Sequence, residues 1–310
     1  MQLAVLGSSE SWYLRDLIRA AGPVHEIVAV SFNHLLAVQG ADGFRAMSLG
    51  VDLRAVDAVL VRTMPPGSLE QVVFRMDVLA QLEAAGQLVL NPPRSMEVAI
   101  DKYLATARLQ AAGFLVPATY TCQTADDAMQ AFAALGGDVV IKPVFGSEGR
   151  GIARVNDEAL ALRAVKMLTA LGAVIYMQPY IEHEGADLRL LVIGQRVLGI
   201  RRSNPLDWRT NVALGATTEP LEVTPELAEM AHRAAAAVGA PIAGVDFLPG
   251  KDGRLYAIEV NAVPGWKALA RTLDLDVAAL VLEYIERTKQ ENGELKEQEA
   301  AETTEERNSR

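Results

Sequence analysis

Asp246, Glu259 and Asn261 lie in two apolar runs, Ala243-Gly244-Val245-Asp246-Phe247-Leu248 and Leu255-Tyr256-Ala257-Ile258-Glu259-Val260-Asn261. Pro249-Gly250-Lys251-Asp252-Gly253 joins them. Alternation across so turn-rich a link predicts a β-hairpin. If Lys251 and Asp252 centre the turn, Val245 faces Ile258 and Phe247 faces Tyr256, and Val245, Phe247, Ile258 and Val260 make one apolar face. The other face then carries Asp246 diagonal to Glu259, with Asn261 two residues further on. Hard oxygen donors of this kind suit Mg²⁺ (or Mn²⁺) beside phosphates, because magnesium keeps its waters and takes few protein carboxylates. Alternation more commonly means a solvated polar face. This face, however, lacks lysine and threonine and runs straight into Val263-Pro264-Gly265-Trp266.

A second pattern suits phosphate. Val139-Val140-Ile141-Lys142 reads as a strand ending in lysine, and Pro143-Val144-Phe145-Gly146-Ser147-Glu148-Gly149-Arg150-Gly151 follows it. Gly146, Gly149 and Gly151 let backbone N–H groups approach polyphosphate oxygens, and Lys142 adds a point charge. No Gly-Lys-Ser/Thr triplet follows, so this is not a Walker A loop, and an ordinary hairpin turn is the bland alternative. Asp187-Leu188-Arg189 and Arg196 to Arg202, joined by Gly194-Gln195, predict a second hairpin. Its open end gathers Asp187, Arg189, Arg201 and Arg202 near Asp207-Trp208-Arg209-Thr210-Asn211. The rigid arginine fork fits phosphate and carboxylate oxygens, unless these groups merely pair among themselves at the surface.

Lys102, at the start of a helix, is one more candidate phosphate lysine. Gln178-Pro179-Tyr180-Ile181 reads either as a hinge whose backbone meets an adenine edge or as an edge strand ended by proline. The four histidines lack metal-ligand spacing, and with no Gly-x-Ser-x-Gly elbow or Cys/His pairing, hydrolase chemistry has no nucleophile.

These residues need elements to hold them. Leu3 to Leu6, a turn at Gly7-Ser8-Ser9, a helix from Ser11 to Ala21 and Ile27 to Val30 make a βαβ opening. Further strands at 57–62 and 88–90 flank a helix from Leu69 to Ala85, completing a small parallel α/β domain, 1–94. Residues 95–180 form a central unit with the glycine-rich lid. Residues 181–288 form a third unit with both hairpins, an alanine-rich helix near Pro225 to Val238 and a last helix near Val277 to Arg287. Residues 289–310 hold almost nothing apolar and read as a disordered tail. A chain of 310 residues, half of them apolar, can bury such a core, and its net charge of -10 excludes a nucleic-acid footprint. The most apolar stretch, Ala234 to Leu248, is too short and interrupted to span a bilayer, and the lone Cys122 fits the reducing cytoplasm.

In order along the chain, Asn91-Pro92, Asp101-Lys102, Pro117-Ala118-Thr119, Ile141-Lys142-Pro143, Gly146 to Gly151, Gln178 to Ile181, Asp187-Leu188-Arg189, Trp208 to Asn211, Gly244-Val245-Asp246 and Glu259-Val260-Asn261 resemble the ATP-grasp superfamily. Within it they resemble the RimK-like α-L-glutamate ligases, while the N-terminal third matches only loosely. The resemblance implies an ATP-grasp fold, in which an N-terminal parallel α/β domain precedes two α+β units that clamp the nucleotide. It implies ATP as cofactor, with Lys102, Lys142, Gly146, Ser147 and Gly149 on the phosphates and Gln178, Pro179, Tyr180 and Ile181 at adenine. Asp187, Arg189, Arg209 and Asn211 fall at the nucleotide and acyl-phosphate end, and Asp246, Glu259 and Asn261 hold Mg²⁺.

The implied reaction is ATP-dependent joining of an amine, glutamate in this family, to a carboxylate of a small molecule, cofactor precursor or peptide. It passes through an acyl-phosphate, with Arg202 and Arg209 stabilising the oxyanion of the tetrahedral intermediate. A ligase for a different amino acid and a catalytically silent ATP-binding regulator are the alternatives, and intact Lys102, Lys142, Asp246, Glu259 and Asn261 argue against the second. Family members often form homo-oligomers, although no interface is visible in the sequence.

Overall fold

The computed structural model describes residues 1–41, 43–146 and 149–308, with side chains in the last helix as far as Leu295 and at Gln298. The chain forms two compact units, and the first is discontinuous: it combines Met1–Pro93 with Leu275–Arg310, while Arg94–Asp274 makes the second.

In the first unit, β1 (Gln2–Leu6), α1 (Trp12–Ala21) and β2 (Glu26–Val30) form the expected βαβ opening. β3 (Leu35–Gly40), β4 (Gly43–Ser48) and β5 (Val51–Asp52) make a small antiparallel sheet. β6 (Ala58–Val61), α2 (Leu69–Ala84) and β7 (Val89–Leu90) complete the parallel sheet, whose order is β2-β1-β6-β7. The inner strand β6 and the short β7 are apolar and buried throughout and β1 is buried after Gln2, as parallel strands covered on both faces must be, while the edge strand β2 is buried only at Val30. Ser68 and Gln71 close a reciprocal capping box at the start of α2.

The second unit opens with α3 (Pro93–Ile100) and α4 (Lys102–Ala111), whose N-cap Asp101 accepts from Tyr103 N and Leu104 N. β8 (Tyr120–Cys122), α5 (Ala125–Ala134), β9 (Val139–Lys142), β10 (Ala153–Val155), α6 (Glu158–Ala170) and β11 (Ile175–Pro179) follow. They build an antiparallel sheet of order β10-β9-β11-β8, and Phe132, Val165, Ile141 and Met177 pack between it and its two helices. A second antiparallel sheet, β14-β13-β12-β15-β16, is made of β12 (Ala186–Ile193), β13 (Arg196–Ser203), β14 (Thr217–Pro220), β15 (Ile242–Pro249) and β16 (Leu255–Asn261). α7 (Pro225–Val238) starts on the Thr224 cap, with proline at a position that needs no N–H, and ends at Gly239 in the left-handed region. α8 (Lys267–Leu273) follows the fully buried Trp266. The divide expected at 180/181 falls between the two sheets of this one unit.

Two expectations need correction at the C-terminus. The last helix, α9 (Val277–Asn308), belongs with the first unit, where Asp276 takes both Nη atoms of Arg19 at 2.8 Å and Lys289 reaches Asp57 at 2.6 Å. The helix also runs on through the segment read as a disordered tail. Its buried residues, Val277, Ala278, Val281, Leu282 and Ile285, all precede Glu286, and beyond that the helix is supported by the Lys289–Asp57 and Arg287–Glu291 pairs and by the high helix propensity of Glu, Lys, Gln and Ala.

Trp266 locks the turn that follows β16. Trp266→Ala is expected to destabilise the second unit by about 3–5 kcal/mol, the usual range for emptying a large aromatic site. Urea unfolding followed by circular dichroism would show this as an earlier midpoint.

Candidate active site

β15 and β16 pair with Gly244 opposite Asn261, Val245 opposite Val260 and Asp246 opposite Glu259. A bulge then resets the register to Phe247 opposite Ala257 and Leu248 opposite Tyr256. The sequence expectation of Val245 opposite Ile258 is therefore corrected. The turn is centred on Asp252 and not between Lys251 and Asp252, which moves the pairing by one residue, and Ile258 is the extra residue of the bulge. The consequence favours chemistry, because Asp246 and Glu259 face each other directly instead of diagonally, and Asn261 shares their side of the sheet.

Each carboxylate oxygen of Asp246 meets one guanidinium. Arg189 Nη1 donates to its Oδ1 at 2.6 Å and Arg202 Nη2 approaches its Oδ2 at 3.0 Å. Arg202 also grips Asp187 in a two-pronged pair, Nε to Oδ1 at 2.7 Å and Nη2 to Oδ2 at 2.6 Å, and Thr210 Oγ1 donates to the same Oδ2. Burial opposes ionisation of Asp246, but the two guanidiniums outweigh it and hold the carboxyl below its usual range. Burial likewise works against Arg202, and Asp246 and Asp187 overcome it to hold the guanidinium above its usual range. Among the described residues Arg202 Nη1 has no acceptor, so one edge of this buried fork is still available for an incoming anion.

Arg201, expected in the same cluster, is not there. Strand alternation turns it to the opposite face, exposed and 3.5 Å from Glu219 on β14. Gly244 makes room for Arg189: a Cβ there would stand 2.9 Å from the guanidinium carbon.

Glu259 is different from Asp246. Although partly buried, it makes no hydrogen bond or salt bridge among the described residues, and its charge is felt by Lys142. Asn261 Oδ1 accepts from Val263 N at 2.8 Å and keeps a second lone pair. Lys142 ends β9, and its Nζ donates to Gln178 Oε1 at 2.8 Å. Burial pushes this ammonium down to about 8, with Glu259 opposing and Lys102 adding to the shift. Lys102, the first residue of α4, places its Nζ 2.6 Å from the Gly146 carbonyl, and its backbone N–H donates to Val144 O. Both lysines thus flank the glycine-rich loop. Gly149, in the left-handed region at φ +73°, lies so close to Asn211 that a Cβ would stand 2.5 Å from its Oδ1. Ser147 lies outside the described residues.

Gln178 and Pro179 end β11, a strand between β9 and β8 and not at an edge, and Tyr180 and Ile181 follow it. Tyr180 N–H donates to Asp138 O and is consumed there. The Tyr180 ring lies under the Arg154 guanidinium at 3.5 Å and meets Trp208 edge-on. Arg209 is held by Asp207, Nη2 to Oδ2 at 2.6 Å, and is only partly buried. Sequence reasoning missed the side-chain partners of Gln178, which are Lys142, Thr119 and Tyr176. Their signal was a lone amide in the otherwise apolar strand Ile175-Tyr176-Met177-Gln178.

A profile of the RimK-like ATP-grasp domain matches residues 99–285, well over half the chain. The chain belongs to the RimK-like ATP-grasp family. It is 32% identical over 263 residues to the tetrahydromethanopterin:alpha-L-glutamate ligase of Methanosarcina acetivorans, covering 76% of this chain and 81% of that one. It is 31% identical over 243 residues to a probable alpha-L-glutamate ligase of Coxiella burnetii, covering 77% and 79%. The ATP-grasp ligase PsnB, solved with a minimal precursor, shares the fold with a TM-score of 0.74 at 22% identity, over 93% of this chain and 98% of that chain. This RimK-like chain is an ATP-dependent ligase that forms a C–N bond. Among the described residues no helix is long and apolar enough to cross a membrane.

The fit of Arg189 beside Gly244 is testable. Gly244→Ala is expected to push the guanidinium off Asp246 and lower stability by about 1–3 kcal/mol, the cost of leaving a buried polar group unpaired. The double variant Gly244→Ala/Arg189→Met should lose less than the sum of the two single variants in a thermal-denaturation cycle.

Proposed function

We propose that the chain joins glutamate to a carboxylate of a small molecule, cofactor precursor or peptide, through an acyl-phosphate made with ATP. The observation that carries this reading is the pair of unspent charges at the β9 and β16 ends. Among the described residues the Lys142 ammonium is held by a neutral amide alone and the Glu259 carboxylate has no partner. Such a pair matches the two halves of a metal-bound polyphosphate, with ammonium for phosphate oxygens and carboxylate for the cation. The names of the relatives support glutamate as the amine.

The donors of Glu259, Asn261 and Asp246 fit Mg²⁺: one free carboxylate, one amide oxygen with a spare lone pair, and one carboxylate whose oxygens each retain one. When bound, the ion would supply positive charge that offsets charge moving onto the leaving group. Lys142 and Lys102 hold the phosphates in line with the acceptor carboxylate, whose oxygen attacks the γ-phosphorus as the bond to ADP breaks. The amine nitrogen then attacks the acyl carbon, the C–O bond to phosphate breaks, and the departing phosphate takes the proton that the nitrogen gives up. Arg202, through Nη1, and Arg209, on exchange of Asp207, supply donors for the transient oxyanion. The loop at Gly146 to Gly151 keeps water from the activated acyl group. The Ile181 end of the hinge takes the adenine edge, since Tyr180 N–H is already spent. Reduced thiol usage, with Cys122 alone, supports a cytoplasmic setting.

Two measurements test this. Phosphate release from Mg-ATP, assayed over a panel of pterin-like, cofactor-like and peptide carboxylates, is expected to require glutamate and to vanish in Glu259→Ala. Release with another amine alone would remove glutamate, and ATP binding without turnover on any pair would favour a silent binder. Separately, phosphate oxygens favour the charged form of Lys142, so ATP binding takes up a proton and the affinity falls as pH rises through about 8. Calorimetric titrations at pH 7 and pH 9 should show that fall in the wild type. In Lys142→Arg, whose guanidinium stays charged throughout, the fall should disappear.

A further inference from the structure

Gln178 has a side chain with no unspent group. Its Nε2 donates to Thr119 Oγ1 at 2.9 Å and to Tyr176 Oη at 2.9 Å, and its Oε1 accepts from Lys142 Nζ at 2.8 Å. Amide nitrogen and oxygen are interchangeable in shape, so the orientation has to be fixed by its neighbours. Thr119 does this, because its single proton goes to the Pro117 carbonyl at 2.8 Å and its oxygen can then only accept. The amide nitrogen must sit there, and the amide oxygen must face Lys142, which is donor-only. Tyr176, fully buried, braces the same nitrogen and is itself held by Thr106 of α4 at 2.8 Å. A chain of hydrogen bonds thus runs from the Pro117 carbonyl and α4 to one ammonium.

We infer that Gln178 is the positioning residue for the phosphate lysine, and that an amide stands at this position because it aims Lys142 without neutralising it. A carboxylate in the same place would aim the ammonium equally well and consume its charge in an ion pair. An apolar side chain would leave the charge intact and the direction unset. The buried strand position makes the difference large, since charge pairing there is weakly screened. This role differs from adenine contact at the hinge, and it rests on the reading that Lys142 meets the phosphates of ATP.

The test compares ATP with adenosine, which has the same base and sugar but no phosphate, by calorimetric titration of the full chain with Mg²⁺ present. Gln178→Glu is expected to weaken ATP about ten- to a hundredfold, the range for losing one charge-assisted contact, and to leave adenosine affinity within about twofold. Tyr176→Phe, which removes one brace, should give a smaller loss for ATP and none for adenosine. The kcat for phosphate release should fall in Gln178→Glu more than in Gln178→Asn, which keeps a neutral amide. Lys142→Met separates the two readings: if it leaves ATP affinity unchanged, the lysine does not meet phosphate and the site reading fails with the inference. If Lys142→Met weakens ATP and Gln178→Glu does not, only the role of Gln178 is overturned. Equal losses of ATP and adenosine in Gln178→Glu would also overturn it, showing an effect on the base or on folding.

Discussion

The buried alternation of charge Asp187, Arg202, Asp246 and Arg189 is the constraint on which the site depends. Two guanidiniums and two carboxylates sum to zero, so the group can be taken out of water only as a set. Removing one member would strand a net charge at a cost of about 3–5 kcal/mol. The members come from three adjacent strands, with Asp187 and Arg189 on β12, Arg202 on β13 and Asp246 on β15. Their pairing therefore fixes the register of the sheet as well as the direction of Asp246. Glu259, one strand further, inherits its place from that register, because it is the residue facing Asp246.

A different economy governs the other sheet. At the end of β9 the network of Gln178, Tyr176, Thr106 and Thr119, all neutral, orients the Lys142 ammonium without opposing its charge. The result is one site with two kinds of support: charge balanced internally around Asp246, and charge left unbalanced at Lys142 and Glu259. Unbalanced charge in a partly buried place is costly to the free protein and is offset when oppositely charged groups of a ligand arrive.

Much of this was legible in the sequence. The parallel opening domain, both hairpins and α7 follow from apolar runs, turn residues and capping signals, and the order of motifs named the family. What was not legible depends on single residues. Nothing in the alternation of Leu255 to Asn261 announces that Ile258 is a bulge, yet that residue decides whether Asp246 and Glu259 meet directly or diagonally. The side to which Arg201 turns depends on the phase of β13, which composition alone does not set. The helical continuation beyond Arg287 is hidden because a segment with almost nothing apolar reads as disordered, although Glu, Lys, Gln and Ala favour helix.

The discontinuity of the first unit bears on how the chain is made. Residues 1–93 leave the ribosome well before the helix that covers α1, with Asp276 on Arg19 and Lys289 on Asp57. The second unit, encoded between them, can complete its own two sheets while the first still lacks a wall. The opening domain must therefore pass through synthesis with the α1 surface uncovered, and it is completed only after the second unit although its own strands are made before that unit.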